Sequence, residues 1–370
     1  MSLRIVSAAL AGVATDPIAG APPARATIRP GSREELAEVL AACSTDGLSV
    51  LVWGHGHHQG IGGRVEPDIV LSTERLDRVV DHQPEDLTLT VEGGVPLGAI
   101  AAHLSGHRQF AVVPEAEPAA TIGGVLAAGV SGYRRLRLGP TRDHVLEVTI
   151  VTGDGRVVRA GARVVKHVQG YDLMRLAVGS LGALGVIAEV CLKLWPAPPV
   201  TATVVVPDAR AAVTTAYRPQ AVLETPDTAA VYLAGTAEEV EAQAEALGGT
   251  VRQGHLWPRS PEAEDGEGVW SIRVPSPLVA DIVADLPDEC DFVAQHGVGV
   301  VVATLDREHA VGLRSRAEAV GGSVVLLDGP LGWYDDPGPW GAPPPALDLQ
   351  RRIVARFDPD GVLNPGRSPI

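Results

Sequence analysis

Leu51–Gly60 reads LVWGHGHHQG, three glycines and three histidines set directly after an apolar run. Imidazole at that density suggests a metal. Backbone freedom at that density suggests an anion held by main-chain N–H groups. The metal is the poorer fit: zinc asks for four ligands in tetrahedral geometry, supplied by cysteine, further histidine or carboxylate. No cysteine or acidic cluster adjoins His55, His57 and His58, so no metal site is expected. Phosphate fits better, because Gly54, Gly56, Gly60, Gly62 and Gly63 would let successive N–H groups converge without side-chain bulk. The two common phosphate signatures are missing, however: the chain has no G-x-x-x-x-G-K-[ST], and no G-x-G-x-x-G opens a strand–helix unit. A plain structural turn would explain the glycines as well.

A second block changes the balance. PEAEPAATIGGVLAAGVSG, Pro114–Gly132, is too long and too apolar for a simple turn. Small residues over such a span suit backbone packed against a large, flat ligand, such as a buried dinucleotide with an aromatic ring system.

The elements that would carry these stretches are legible from periodicity. Ser32-x-x-Glu35 is a capping box, Leu36, Val39, Leu40 and Cys43 recur at helical spacing, and Gly47 closes the helix. Strands are expected at Leu48–Trp53, Asp68–Ser72, Leu87–Val91, Val145–Val151 and about Val186–Trp195. A helix starts at Pro96 with Leu97, Ile100, Ala101 and Leu104 on one face. Pro196–Pro199 then breaks the pattern and marks a domain boundary. Beyond it, strands at Ala202–Val206, Ala229–Leu233, Val269–Val274, Val298–Leu305 and Val324–Leu327 are expected to interleave with helices at Thr236–Leu247, Pro277–Leu286 and Arg307–Val320. That is an antiparallel sheet backed by helices. Asp328–Pro345 reads as an irregular aromatic loop, and a last helix spans about Ala346–Phe357. No short-period repeat is visible.

Composition excludes several classes of function. A net charge of −15 argues against binding nucleic acid by phosphate neutralisation. No apolar run reaches the ~18 residues of a membrane span. Cys43, Cys191 and Cys290 form no CxxC and suit reduced thiols in a cytoplasmic protein. The opening residues, MSLRIVSAALAG, read as a short amphipathic helix in preference to a signal peptide, whose charged n-region would be thin here.

The ordered stretches together resemble the vanillyl-alcohol-oxidase (PCMH-type) FAD-binding fold, in particular the flavin-binding E-type subunit of glycolate oxidase and its D-lactate dehydrogenase relatives. The likeness is carried by VLVWGHGHHQG, by the segment Asp68–Leu104, and by ATIGGVLAAGVSGYRRLRLG with the strands after it. VVKHVQGYDLMRLAVGSLGALGVIAEV and the terminal RFDPDGVLNPGR complete it. The resemblance implies an α+β architecture: a two-subdomain FAD-binding domain over 1–199, an antiparallel sheet and helix substrate domain over 200–335, and a segment 336–370 returning to the first domain.

The resemblance also assigns residues. Gly54, His55, Gly56, His57, His58, Gln59 and Gly60 would wrap the FAD pyrophosphate. Pro114, Thr121, Gly123 and Gly124 would line the middle of the cofactor, and Gly129, Ser131 and Gly132 would approach the isoalloxazine and phosphates. Gly185, Val186 and Ile187 would meet the adenine or ribose, and Asn364 would return to the cleft. His57 falls where related covalent flavoproteins bond histidine to the flavin 8α-methyl, with His58 as the nearest competitor. No cysteine lies between Pro114 and Gly132 to make a second link. The GYDL motif with Tyr171 and Asp172, near Lys166 and His167, is expected to shape the fold.

The activity implied is transfer of hydride from a small alcohol or 2-hydroxy acid to flavin N5, with a base to take the hydroxyl proton. His296, in AQHGVGVVVA, is the one match to the family's substrate-domain histidines, and Tyr334 in the aromatic loop could cap the substrate. Arg134, Arg135 and Arg137 could attract a carboxylate. Two alternatives stay open. One is a flavin subunit that passes electrons to an iron–sulfur partner within a complex, where the leading reading could pass them to O2, and the other is a stand-alone biosynthetic oxidase, or a cyclase using FAD as a scaffold.

Overall fold

The computed structural model describes residues 14–162 and 173–370. The opening helix expected before Gly12, and Lys166, His167, Tyr171 and Asp172, lie outside the described residues. The chain divides into two compact units. The first comprises Met1–Ser131, Thr141–Pro196 and Pro343–Ile370, and the second Gly132–Pro140 and Ala197–Ala342.

The first unit holds two sheets. Ala26–Ile28, Ile69–Ser72 and Val50–Trp53 run parallel, with Ala14–Thr15 antiparallel at one edge. Helix Arg33–Asp46 covers them, burying Leu36, Val39, Leu40 and Cys43, as the 3.6-residue spacing requires. Ser32 caps it by accepting from the Glu35 N–H. The expected capping box is not closed in the usual way, because the Glu35 carboxylate accepts from the Gly31 N–H at 2.7 Å, one residue further back. Leu363, near the chain end, joins the edge of this sheet beside Val50.

The second sheet is antiparallel, in the order Val79–Gln83, Thr88–Glu92, Val186–Pro196, Val145–Val151, Val157–Gly161, with Gln109–Ala111 also against the long strand. Helices Leu97–Ser105 and Ile122–Ala128 pack on it through Leu97, Ile100, Leu104, Ile122, Val125 and Leu126. The second glycine block is therefore partly helical. Thr121 supplies the cap, its hydroxyl accepting from the Gly124 N–H, and the alanines after it favour the turn that follows.

The second unit is one eight-stranded antiparallel sheet. Its order is Thr250–Gln253, Val200–Val206, Ala229–Gly235, Ala221–Glu224, Phe292–Gln295, Val300–Leu305, Gly268–Arg273, Ser323–Asp328. Each half has the chain order strand–helix–strand–strand–helix–strand. Each half also has the spatial order 4-1-3-2 of a split βαβ unit, and the two second strands, Ala221–Glu224 and Phe292–Gln295, join the halves. This duplication is invisible in the sequence because the strands that complete it, Ala221–Glu224, Thr250–Gln253 and Phe292–Gln295, have four residues each. Thr250–Gln253 is moreover an edge strand exposed along its whole length, with no alternation to read.

The rest of this unit follows the pattern read from the sequence, with Thr236 and Glu239 forming a true capping box on helix Ala237–Leu247. The expected helix at Pro277–Leu286 is shorter. A 3-10 turn, Ser276–Leu278, precedes an α-helix over Val279–Ala284, since Pro277 lacks the N–H to extend it upstream.

The segment Gly132–Pro140 is tied into this second unit by rings. Trp257 stacks on Tyr232 at 4.3 Å between centroids, Tyr133 lies 5.8 Å from it, and the Arg134 guanidinium sits over its face at 5.2 Å. His255 packs on the same indole, its Nε2 hydrogen-bonded to the Leu233 carbonyl at 2.8 Å, and burial pulls its imidazole down to about 4.

An unfolded chain takes up that proton near pH ~6.5, whereas the folded histidine takes it up only near 4. Stability from this group is therefore present above pH ~6.5 and lost as the pH falls towards 4. The expected loss between pH ~7.5 and ~4.5 is roughly 2–3 kcal/mol. Urea unfolding followed by tryptophan fluorescence at the two pH values measures it, and His255→Gln should flatten that part of the pH slope.

All three cysteines are buried free thiols, and burial raises Cys43 to about 12 and Cys290 to about 11. None of the described helices is long and apolar enough to cross a membrane.

Candidate functional site: a cleft lined by small residues

Strand Val50–Trp53 runs straight into the glycine–histidine turn, and a cleft opens beside it in the first unit. Its wall is built largely of backbone: Gly54, Gly123, Gly124, Ala127, Ala128, Gly182 and Gly185 contribute almost no side-chain volume. Two of these glycines are required by close approach. A Cβ on Gly54 would collide with the Thr121 hydroxyl, which caps the neighbouring helix, and one on Gly182 (φ +76) would collide with the Asn364 amide.

The turn is closed by Gln59 N–H to Gly56 O at 3.3 Å and Ile61 N–H to His58 O at 3.3 Å. Among the described residues, the backbone N–H groups of Gly54 to His58 have no protein acceptor. Consecutive unfilled donors on a glycine turn beside a backbone-walled cleft make a fitting cradle for a pyrophosphate.

The chain's last residues hold this arrangement in place. Asp358 accepts from the Val362 and Leu363 N–H groups at 2.9 and 2.8 Å and shapes the run into Asn364. Asn364 takes a left-handed conformation (φ +44) and is 6% exposed. Its N–H donates to Val50 O at 2.8 Å, its Oδ1 accepts from Val52 N–H at 2.9 Å, and its Nδ2 donates to Leu181 O at 3.1 Å. One side chain thus fastens the strand before the turn to the opposite wall. Arg367 then fastens the turn itself, donating to Gln59 Oε1 at 2.5 Å and to His58 O at 2.7 Å.

The three histidines of the turn part company. His55 is exposed, with Nδ1 2.9 Å from Ala119 O, and His57 is exposed. The His58 ring lines the cleft, with Nε2 held 2.8 Å from the Glu117 carboxylate.

Of the residues the sequence singled out, the cleft brings together Gly54, His58, Gln59, Thr121, Gly123, Gly124, Gly185, Val186, Ile187 and Asn364. His55, Gly56, His57, Gly60, Pro114, Gly129 and Ser131 belong to the same unit without lining the cleft, and Gly132 belongs to the second unit. Gly129 is the left-handed cap that ends helix Ile122–Ala128, and the Ser131 hydroxyl accepts from Thr141 N–H. Thr73, Leu181, Gly182, Glu117 and Arg367 were missed. They are single residues whose role rests on distant partners, and only the NPGR motif around Arg367 offered any signal.

A PCMH-type FAD-binding fold is what this combination of sheets, turn and cleft defines. Comparison with known proteins agrees. The FAD binding domain family matches residues 24–161. Glycolate oxidase subunit GlcE of Escherichia coli is 30% identical over 317 residues, covering 78% of this chain and 84% of its own. D-2-hydroxyglutarate dehydrogenase of Xanthomonas citri is 37% identical over 175 residues, 46% of this chain and 36% of the enzyme. Glycolate oxidase subunit GlcD of Bacillus subtilis is 35% identical over 176 residues, 47% and 37% of the two chains. The chain therefore spans little more than a third of the length of these last two relatives. In fold it is similar to alkyldihydroxyacetonephosphate synthase, with a TM-score of 0.64 at 15% identity, over 92% of this chain and 76% of that one. The chain belongs to the FAD-linked oxidoreductase family of the glycolate oxidase and D-lactate dehydrogenase type.

Proposed function

We propose that this chain oxidises a small 2-hydroxy acid or alcohol, with FAD seated in the glycine-lined cleft. The observation that carries the reading is the clasp of Asn364 and Arg367 on a turn whose consecutive N–H groups have no acceptor among the described residues, in a chain that aligns with most of GlcE. When bound, the flavin supplies a hydride acceptor at N5. The protein's share is to hold the pyrophosphate on the Gly54–His58 amides, exclude water, and take the substrate's hydroxyl proton.

His296 is the proposed base. It follows strand Phe292–Gln295, its N–H donates to Val222 O at 2.9 Å, and its Nε2 lies 2.6 Å from the Glu224 carboxylate. A carboxylate on Nε2 fixes the proton there and leaves Nδ1 with a lone pair for the substrate. Tyr334, in the 3-10 turn Leu331–Tyr334 against the Trp270 core, is proposed to cap the substrate.

Anaerobic mixing of the purified protein with glycolate, D-lactate and D-2-hydroxyglutarate tests the reading. Bleaching of the flavin band by at least one is expected, and a colourless protein that takes up no FAD would overturn it. A second reading, a flavin subunit that works within a complex, is favoured by the extent of the match to a protein named as a subunit. Reduction that stays silent until a partner subunit is added would select it.

The proposed 8α-methyl link falls on His57, with His58 as the alternative because its ring lines the cleft. After acid precipitation the colour should remain with the protein. His57→Ala should release it to the supernatant. Colour retained in His57→Ala and lost in His58→Ala would transfer the link to His58.

A further inference from the structure

Away from the cleft, three histidines meet at the edge of the antiparallel sheet in the first unit. His82 lies on edge strand Val79–Gln83, His103 on the last turn of helix Leu97–Ser105, and His107 one helical turn later, where its N–H donates to Leu104 O. His107 lies in the turn just past the end of that helix, and the rings of both His103 and His107 meet that of His82. The ring centroids are 4.5, 4.9 and 5.7 Å apart, and one ligand nitrogen from each lies within 4.8 Å of the others. None of the three lines the cleft.

The surrounding hydrogen bonds fix the chemistry of the cluster. Gln109 donates through Nε2 to Pro84 O at 2.7 Å, so its Oε1 is the atom 3.0 Å from His82 Nε2. His82 must then carry its proton on Nε2, which leaves the lone pair of Nδ1 facing inward. His103 Nε2 donates to that Nδ1 at 3.0 Å, and a metal bound between them would replace this hydrogen bond, His103 moving its proton to Nδ1. A carbonyl oxygen behind an imidazole that presents its other nitrogen to a shared centre is the outer-shell arrangement of histidine-bound metals. The 3.0 Å separation is close to the about 3.3 Å that two nitrogens adopt on one tetrahedral zinc. His107 is exposed, and its ring meets that of His82 edge-on at 4.5 Å between centroids.

We propose that His82, His103 and His107 form a zinc site, through Nδ1 of His82, Nε2 of His103 and one nitrogen of His107, with the fourth position open to water. Neutral imidazoles select zinc and its late transition-metal neighbours over magnesium or calcium, which prefer oxygen.

Tag-free holoprotein, stripped with chelator and titrated calorimetrically with zinc chloride, tests the site. One saturable equivalent at micromolar Kd or tighter is expected, with none for magnesium. His107→Ala should weaken it at least tenfold, and His103→Ala with His107→Ala should abolish it. Circular dichroism and flavin absorbance should be unchanged in both. Gln109→Ala, which touches no metal, should weaken binding roughly 10–100-fold. No saturable zinc uptake, or uptake unchanged in the double variant, would overturn the proposal.

Discussion

His296→Gln is expected to slow anaerobic flavin reduction by roughly 10²–10⁴-fold, with FAD content and unfolding midpoint close to those of the parent. Glutamine fills most of the imidazole's space and can still donate to Glu224, but it offers no basic nitrogen. The loss should therefore fall on the rate of reduction at saturating substrate and not on substrate affinity. Glu224→Gln gives the complementary result. Losing the carboxylate 2.6 Å from Nε2 removes the group that sets the tautomer, so a smaller decrease is expected. Stopped-flow reduction with the best substrate measures both. An unimpaired His296→Gln protein would remove His296 from the chemistry and leave only a structural hydrogen bond to Glu224, since its side chain is just 4% exposed.

The second large effect is expected at Asn364. Asn364→Ala leaves Val52 N–H and Leu181 C=O without the partners they hold at 2.9 and 3.1 Å, at about 1–3 kcal/mol for each group left unsatisfied. The left-handed backbone adds roughly 1 kcal/mol, which glycine would not incur. A total of about 3–7 kcal/mol follows, large against the 5–15 kcal/mol typical of a domain. The same bonds align the strand before the turn with the far wall of the cleft, so the variant should also purify with little FAD. Asn364→Gly separates the two causes, because it relieves the backbone while leaving the lost hydrogen bonds. It should recover about 1 kcal/mol of stability in urea unfolding and almost none of the flavin. Full flavin occupancy in both variants would show that the cleft forms without the clasp.

Local signals were read where a single stretch of chain decides its own conformation. Helix Arg33–Asp46 could be placed from Leu36, Val39, Leu40 and Cys43 because burial of one face imposes that period, and Ser32 and Gly47 are chemically fitted to its ends. The strand before the glycine turn, and the turn itself, were equally plain. The strands of the second unit that escaped are short or solvent-facing, so no periodicity marks them, and with them went the duplicated strand–helix pattern. The His103-x₃-His107 spacing was present in the sequence but mute, because its third member stands 21 residues before His103 on a different element.

By itself, then, the sequence determined the elements, the backbone-rich turn and, through the order of its motifs, the family and cofactor. Tertiary structure decided which of those residues face the cleft. It set His58 and not His57 on the wall, brought Asn364 to Val52 across 312 residues, and placed Arg367 over the turn. The physical reason is range. A helix period or a capping residue is fixed by neighbours within a few positions, whereas a hydrogen bond between the two ends of a chain depends on the whole fold that lies between them.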